Sequence, residues 1–446
     1  MTRSLRSVAL AIALIACCAP ARAQDSEVEL SVSGQYRARA FSLRNGSLAR
    51  LLDPATIAAL QQSGRDKVDE RQNFFDSRLR LKLTAARGSE LALRMQFEIG
   101  DLTFGGTGAQ LGTDGVNIET KWLHLEWTPA ALPLSLKVGL FSEVTPKSLI
   151  LSNDVAGIRA EYKPFKGKVS VTAELLKAID NSRADLDNDG LRDNDFNDRD
   201  ISMLRLDVNA FKPWSFGVYG MSDIDNSADS PVAANVERDI YWLGGFVKGQ
   251  VGQLGLSVDG IYAFGDLRNA QNPGSIRIEA FAVDARVSFS LPFVGVELIA
   301  GWGSGDDPDT RQSEAFPTIT TFYAHSNIIF DDYGGFNVTG SSLSGVAHLS
   351  ALLRASPLPG LELKLIAIWA TYTADPRRAT NVNRVNLTGR ELGFELGLNG
   401  SYAVSEGFKL VTRNGIFFPG TGYETTFDTP DDDPLLEFIV GMEFRF

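Results

Sequence analysis

The stretch Asp76–Asp101 alternates polar with apolar residues in two runs that a short turn separates. Arg78, Arg80 and Lys82 alternate with leucines in the first run, and the same alternation continues through residues 91–99 in the second. Successive side chains of a β-strand point to opposite faces, so each run predicts a strand with one polar and one apolar face. The Arg87-Gly88-Ser89 turn between the runs predicts that the two strands form a hairpin.

This alternation returns along the chain, for example in residues 30–39, 134–140, 204–209, 361–365 and 391–399. We expect about 18 such strands, each near the length of a tilted strand that spans a membrane. In a soluble sandwich the apolar face of each strand would contact a second sheet. In an outer-membrane barrel the apolar face contacts lipid, and the polar face lines a wet lumen. One hairpin fits both folds, so the lengths of the connections between the strands are needed to distinguish a sandwich from a barrel.

The connections between the expected strands alternate in length. Short turns follow the second, eighth, fourteenth and sixteenth strands, at residues 87–89, 212–213, 357–360 and 406–407. Long polar loops lie between them, at Leu43–Asn73, Leu102–Gly115, Asp180–Asp200, Ser222–Glu237, Ser304–Gly340, Ala374–Thr388 and Gly420–Asp433. This order is typical of bacterial outer-membrane barrels. The sequence therefore predicts an all-β fold, a transmembrane antiparallel up-and-down barrel with short periplasmic turns and long extracellular loops.

Aromatic residues fall at one end of the expected strands. Trp127, Trp214, Phe289, Tyr402 and Phe446 all lie on the outward face, beside a short turn or at the last residue. Such a set predicts an aromatic girdle at one membrane interface.

The last strand of the sequence, LLEFIVGMEFRF, is strongly amphipathic. Gly441, Phe444 and the final Phe446 resemble the signal that the barrel-assembly machinery recognises, so we predict that machinery as a partner. Outer-membrane lipid and lipopolysaccharide are the expected partners of the outer face, and we expect a monomer.

Residues 1–23 predict a secretory signal peptide, with Arg3 and Arg6 before a short apolar core and Ala21-Arg22-Ala23 as the cleavage site. A lipoprotein cleavage box ending at Cys17 is the alternative. Removal of residues 1–23 leaves a barrel domain of residues 24–446 without cysteine and takes the formal net charge from −12 to −15, because three arginines are lost. An acidic exported chain is not expected to bind nucleic acid.

Two of the long loops contain local motifs. Residues 53–64 predict a surface helix, with Asp53 as N-cap, Pro54 at the first position and Gly64 as the stop. The second motif begins at Asp185, in the loop Asp180–Asp200, and resembles the first nine positions of a calcium-binding loop. Its twelfth position is Phe196 instead of a glutamate, so a solvated acidic loop is the alternative to a calcium site formed by Asp185, Asp187, Asp189 and Asp193.

Enzyme motifs are scarce in the sequence. The only histidines, His124, His325 and His348, have no metal-type spacing to acidic residues. His348 has Ser350 two residues on, but lumen lining explains this position better than a catalytic dyad does. We therefore do not predict an enzyme or a cofactor other than calcium.

The polar face of the expected strands carries many charged residues. Cations concentrate in the first three strands and acids in the last three, and a closed barrel makes these two groups neighbours. Much of the charge can pair across strands, and the remainder would orient a polar solute. The predicted solute path is lined by Arg37, Arg39, Arg78, Arg80, Lys82, Arg94, Lys137, Arg159, Arg205, Arg286, Arg354, Glu391, Glu395 and Arg413.

The segment Leu392–Glu424 resembles a late hairpin of the alginate-export-like family of outer-membrane barrels, in its G-x-E strand and its strand ending in F-F-P-G. Weaker resemblance lies in FEIGDLTFGG, GTDGVNIETKWLHLEW, LKVGLFS, DVAGIRAEY and Ala315-Phe316-Pro317. The resemblance implies an eighteen-stranded monomeric barrel whose arginines, here Arg37, Arg39, Arg78, Arg80 and Arg94, would steer an acidic polysaccharide. The acidic residues of the last strands depart from a strongly electropositive conduit, so alginate itself is not predicted.

Together these patterns predict an outer-membrane porin for passive passage of small or polymeric polar solutes, with anionic and sugar-like solutes included. A barrel of this size leaves a channel unless something fills it. The Ser304–Gly340 loop, with its FDDYGG stretch, either folds inward as a constriction or stays outside as a disordered loop. The alternative function is a surface receptor or adhesin that acts through its long loops.

Overall fold

The structure is a computed structural model that describes residues 27–45, 71–105, 118–179, 198–227, 236–269, 272–307, 309–331, 333–375, 389–423 and 433–446. Within these ranges nineteen strands form one sheet. Their bounds are β1 Val28–Arg44, β2 Gln72–Arg87, β3 Leu91–Thr103, β4 Ile118–Trp127, β5 Leu134–Val144, β6 Ser152–Tyr162, β7 Val169–Ile179, β8 Arg199–Val208, β9 Trp214–Asp225, β10 Val236–Val251, β11 Leu254–Asn269, β12 Asn272–Ser290, β13 Val294–Gly303, β14 Gln312–Ser313, β15 Val346–Leu358, β16 Leu361–Tyr372, β17 Glu391–Ser405, β18 Phe408–Pro419 and β19 Leu435–Arg445.

Eighteen of these strands close into an antiparallel barrel. Each wall strand pairs with the next along the chain, β13 pairs with β15, and β19 returns to β1 from Gln35 opposite Arg445 to Arg44 opposite Leu436. The two-residue β14 pairs with β12 and is not part of the wall. The predicted closed antiparallel barrel of about 18 strands is confirmed.

Helical structure is confined to single turns in the described residues, at Pro146–Ser148, Phe165–Gly167 and 421–423. In that part of the chain no helix has the length and apolar content to cross a membrane. The predicted signal peptide at residues 1–23, the helix at 53–64 and the calcium ligands Asp185, Asp187, Asp189 and Asp193 all lie outside the described residues.

The distribution of side chains is the reverse of that in a soluble protein. Large apolar residues such as Leu30, Leu204 and Leu349 are 60–80% exposed on the outer face. Charged residues such as Asp284 and Glu395 are 0% exposed on the inner face. A lipid-facing exterior accounts for the first group and an enclosed polar interior for the second.

As the sequence predicts, the connections at one end of the barrel are short and those at the other end are longer, except for residues 270–271 between β11 and β12. The aromatic residues proposed for the girdle lie at the short-turn end on the outer face. At this end Phe446, which directly follows the last strand, is bound to the first strand. Its backbone N–H donates to the carbonyl of Gly34 at 3.1 Å, and a side chain at position 34 would collide with the phenyl ring of Phe446. The glycine therefore makes room for the last aromatic residue.

The segment between β13 and β15, residues 304–345, turns back into the barrel, and we call it the inner loop. Phe316, Tyr323 and Ile328–Phe330 are at most 1% exposed. They pack against apolar residues on the inner face of the wall, including Trp242, Ile261 and Ile299. The lumen therefore contains a hydrophobic core of its own at this level.

Candidate functional site: the lumen and its inner loop

Cations on the first strands pair with acids on their neighbours across the sheet. Arg80 Nε lies 2.5 Å from Glu98 Oε2, and Arg78 Nε lies 3.9 Å from the same atom. Arg94 Nε donates to Glu126 at 2.6 Å. These residues alternate with lipid-facing ones on β2 to β4, so a period of two places them in the lumen.

Ion pairs continue around the wall, some across neighbouring strands and some between alternate residues of one strand. The contacts are Lys137 Nζ to Glu126 at 3.4 Å, Arg159 Nη1 to Glu143 at 2.8 Å, Arg205 Nη2 to Asp207 at 2.7 Å, Arg286 Nε to Asp284 at 2.9 Å and Arg354 Nη2 to Glu297 at 3.1 Å. Glu174 is an exception. Both of its buried carboxylate oxygens lack a hydrogen-bond partner in the described residues, although Arg159 Nη1 lies 3.4 Å away.

Glu395 of β17 fastens the inner loop to the wall. Its carboxylate accepts hydrogen bonds from the backbone N–H groups of Asn327 at 2.8 Å, Ile328 at 3.2 Å and Ile329 at 2.8 Å. Three converging donors compensate a buried carboxylate without a cation. Glu395 lies inside the barrel, where both of its oxygens are bound by the loop.

Tyr333 of the inner loop lies among three guanidinium groups of the wall. Arg37, Arg39 and Arg413 are 5.5, 4.6 and 4.8 Å from the centre of its ring, and all three are buried. The Tyr333 hydroxyl donates to Glu443 at 3.1 Å. Burial, together with that carboxylate, raises the pKa of Tyr333 to about 12, so the phenol stays protonated and keeps donating.

Two of the guanidinium groups that surround Tyr333, those of Arg39 and Arg413, are bonded to carboxylates. Arg39 Nε donates to Asp76 at 2.9 Å, and Arg413 Nη2 donates to Asp331 at 2.9 Å and to the carbonyl of Ser326 at 2.7 Å. Arg37 lies directly opposite Glu443 in the β1–β19 pair. Arg39 also donates to the backbone carbonyl of Tyr333, so Arg39 and Arg413 bind the loop directly and Arg37 packs against the Tyr333 ring.

The shorter β5–β6 loop, residues 145–151, also enters the lumen. Lys147 at its tip reaches Asp259 Oδ2 at 2.6 Å and also contacts the Asp284 carboxylate, on β11 and β12. Thr145 Oγ1 accepts hydrogen bonds from the N–H groups of Ile150 and Leu151 and thereby closes the loop. Leu151 bridges to Thr320 of the inner loop, so the two loops form one partition inside the barrel.

This partition is off-centre. Its buried apolar cluster takes residues from the inner faces of β5, β7 to β13 and β15 to β19, and Val155 of β6 packs against it, but in the described residues it takes none from β1 to β4. On that other side Lys82 lies 4.8 Å from the Trp122 ring, and Lys121 lies near Glu98 and Asp154. The wall from β2 to β4 therefore presents charged and aromatic groups to the interior.

A polar cavity of about 650 Å³ lies between the inner loop and the wall of β12 to β19. Its lining contains Arg286, Arg354, Lys364, Lys409 and Arg413 together with Glu297, Glu362 and Glu443. Cations outnumber acids there, but their described hydrogen bonds and ion pairs go to acids or carbonyl groups, as for Lys364 Nζ and the carbonyl of His325 at 3.0 Å.

The prediction for Glu391 is wrong. A β-bulge pairs Thr371 with Glu391 directly after Ala370 with Gly393, so one residue of β17 is left without a partner. Gly393 has φ +140°, which only glycine adopts readily. Leu392 consequently points inward, and Glu391 lies on the outer face, where it accepts a hydrogen bond from the Trp369 indole at 3.3 Å.

Several lumen residues were not predicted from the sequence. A bulge between Gln96 and Phe97 brings both Lys121 and Trp122 to the inner face, which strict alternation hides. Lys147 sits in a loop too short to attract notice. In the FDDYGG stretch, where the sequence did offer a signal, Asp331 and Tyr333 form the wall contacts described above.

No group of three or more acidic, histidine or cysteine residues in the described part of the chain is arranged to hold a metal ion. The predicted calcium ligands lie elsewhere, so that expectation stays a prediction.

No family profile matches the chain, and no curated protein is similar to it in sequence. Solved structures do share its fold. Pseudomonas aeruginosa OccK5 (OpdH) aligns with 93% of this chain and 98% of its own, at 12% identity and a TM-score of 0.53. P. aeruginosa OpdL aligns with 94% of this chain and 99% of its own, at 13% identity and a TM-score of 0.56. Acinetobacter baumannii OccAB2 aligns with 94% of this chain and 98% of its own, at 12% identity and a TM-score of 0.57. At such low identity the similarity concerns the barrel fold over nearly the whole chain.

Proposed function

We propose that the protein is a bacterial outer-membrane channel through which small polar solutes pass down their gradient. The single observation that supports this most is the partition that fills one side of the lumen and leaves a charged wall on the other. The solved structures with the same fold are outer-membrane porins, which agrees with the proposal. The proposal includes no catalytic step.

The solute would pass along the wall of β2 to β4. Arg80, Lys82 and Lys121 line one side of this route, whereas Glu143 and Asp154 lie on the strands that follow. Opposed charges across a narrow passage favour solutes that carry an anionic group beside hydrogen-bonding groups. Acidic or sugar-like solutes fit this description, in keeping with the resemblance to alginate-export-like barrels, and remain part of the proposal.

Reconstitution of the purified chain into a planar bilayer tests the channel directly. We expect stepwise ion currents and, in a salt gradient, a reversal potential that moves toward cation selectivity in the double variant Lys82→Gln/Lys121→Gln. Glu391→Gln on the outer face is the matched control and should leave the potential unchanged. Absence of current from the chain, with the 309–340 segment deleted as well, would exclude a channel.

A further inference from the structure

Two histidines meet where the inner loop contacts the wall. The rings of His325, on the inner loop, and His348, on β15, are 5.0 Å apart, and both side chains are buried. Phe330 packs against each of them at 4.9 Å and covers the contact, while His325 also borders the polar cavity between the inner loop and the wall. A charge on either ring would therefore be poorly solvated.

One directed chain of hydrogen bonds links the two rings to the wall. Its contacts are His325 Nε2 to Ser350 Oγ at 3.1 Å, Ser350 Oγ to His348 Nδ1 at 2.9 Å, His348 Nε2 to the Tyr323 hydroxyl at 2.8 Å and that hydroxyl to Asp284 at 2.5 Å. Because Asp284 can only accept, we assign Tyr323 as its donor. Each group then donates one hydrogen to the next, which requires both imidazoles to be neutral.

If an extra proton binds to His325 Nδ1, the N–H that it forms has no hydrogen-bond acceptor in this arrangement. His325 Nδ1 is buried and lacks a hydrogen-bond partner among the described residues. Protonation would place an unsatisfied N–H and a positive charge there, next to a second imidazole. A buried donor without a partner and a buried charge are both costly, so the contact is stable only while the rings are uncharged.

The surrounding charges do not offset such a proton. Tyr323, Asp284 and Arg286 of β12 and Lys364 of β16 interact with the pair. Asp331, Glu395 of β17 and Arg413 of β18 are the charged groups bound to the adjoining part of the inner loop. Asp284 ends the hydrogen-bond chain and attracts a proton on His348, but Arg286 and Lys147 already neutralise it. Asp331 is paired with Arg413, and Glu395 accepts three backbone N–H groups. The cations Arg286 and Lys364 add repulsion.

We propose that protonation of the His325–His348 pair releases the inner loop from the wall and widens the channel in mildly acidic conditions. The inference rests on the proposed channel and adds a regulation of it. The third histidine, His124 of β4, would not act in this way. Its Nδ1 and Nε2 lie 3.1 Å from the Leu140 carbonyl and 3.3 Å from Glu126, so both nitrogens face acceptors and a proton is accommodated.

The direction of the pH dependence follows from burial. Burial holds the pKa of His325 well below its ordinary value in the docked loop. The released loop then binds more protons than the docked loop, so docking weakens as the pH falls below the ordinary histidine pKa of about 6.5. For one histidine that stays neutral when docked, the docked-to-released ratio falls about thirtyfold between pH 7.5 and 5.0.

Single-channel recording at both pH values tests the inference. We expect larger or more frequent open steps at pH 5.0 in the unmodified chain, a strongly reduced response in His325→Gln and in His348→Gln, and an unchanged response in His124→Gln. A conductance that does not depend on pH, or a His325→Gln variant that responds like the unmodified chain, would overturn it.

A disulfide gives a second test. A Cβ built at Gly415 of β18 would lie 3.1 Å from the Asn327 Cβ of the inner loop. Disulfides have Cβ–Cβ separations of about 3.5–4.5 Å, so the loop has to move back by only a few tenths of an ångström to form one. The pair Asn327→Cys/Gly415→Cys, oxidised at pH 7.5, should abolish the acid response, and reduction should restore it. A response that persists in the oxidised form would show that release of the loop is not its cause.

Hydrogen exchange needs no ion current, so it tests the release of the inner loop by the His325–His348 pair, which we call the latch, separately from the channel. The amides of Ile328 and Ile329, corrected for intrinsic exchange at each pH, should lose about thirtyfold protection at pH 5.0. A chain without current at any pH but with this loss would refute the channel alone. A chain with current but constant protection would refute the latch alone.

Discussion

Replacing Glu395 by alanine should free the inner loop from the wall. The carboxylate is 0% exposed and accepts the N–H groups of Asn327, Ile328 and Ile329 at 2.8–3.2 Å. Each buried donor left without an acceptor costs about 1–3 kcal/mol, so the three together cost about 3–9 kcal/mol if the loop stays in place. Release into water removes this cost, and we expect the loop to detach while the barrel keeps its wall pairing.

Glu391→Ala is the matched control, because this glutamate belongs to the same strand but lies on the outer face, bonded only to an exposed indole nitrogen in the described contacts. In bilayers, Glu395→Ala should raise the conductance and make the loop cleavable by added protease, whereas Glu391→Ala should behave like the unmodified chain. Heat-modifiable migration on gels would verify that both barrels are folded. If the loop resists protease in Glu395→Ala and the conductance is unchanged, the carboxylate is not its anchor.

Two further substitutions test the wall and the partition. Leu81→Arg places a charge on the outer face and should cost up to about 2–4 kcal/mol in a refolding titration, the range for a bilayer midplane, whereas Arg80→Leu should leave folding nearly unchanged and alter ion selectivity; the opposite pattern would mean that the two faces are exchanged. Lys147→Met removes the cation that contacts Asp259 and Asp284, so the reversal potential should shift toward cation selectivity. An unchanged reversal potential would show that permeating ions do not approach these carboxylates.

The barrel could be predicted from the sequence because the side-chain period of a strand is fixed by backbone geometry. Once Arg80 is inside, Leu81 has to be outside, and closure of the sheet follows from the repetition of such strands. A β-bulge shifts this period by one residue, and alternation does not reveal which residue is the extra one. Glu391 was assigned to the wrong face for this reason, and Gly393 with its positive φ was the one local sign.

The placement of the inner loop could not be derived in the same way. Its anchors join residues far apart in the chain, as with Arg413 and Asp331, or Tyr333 and Glu443. No local pattern encodes such pairs, because each side chain alone is an ordinary lumen or loop residue. The predicted solute path consequently included Arg37, Arg39, Glu395 and Arg413, which bind the loop instead of facing open water.

One sequence feature did mark where the lumen is filled. In β10, Ile240 and Trp242 face inward and are buried, while Tyr241 and Leu243 lie on the outer face. A strand with apolar residues of both parities is covered on both faces, as strands inside a protein are. Wherever a barrel strand loses its alternation in this way, protein must replace water on the inner side, whereas β2 keeps strict alternation through Arg78, Arg80 and Lys82 and borders the wet part of the lumen. The position of a partition inside a barrel can thus be predicted from the strands that it covers, even when the sequence of the loop that forms it shows no pattern.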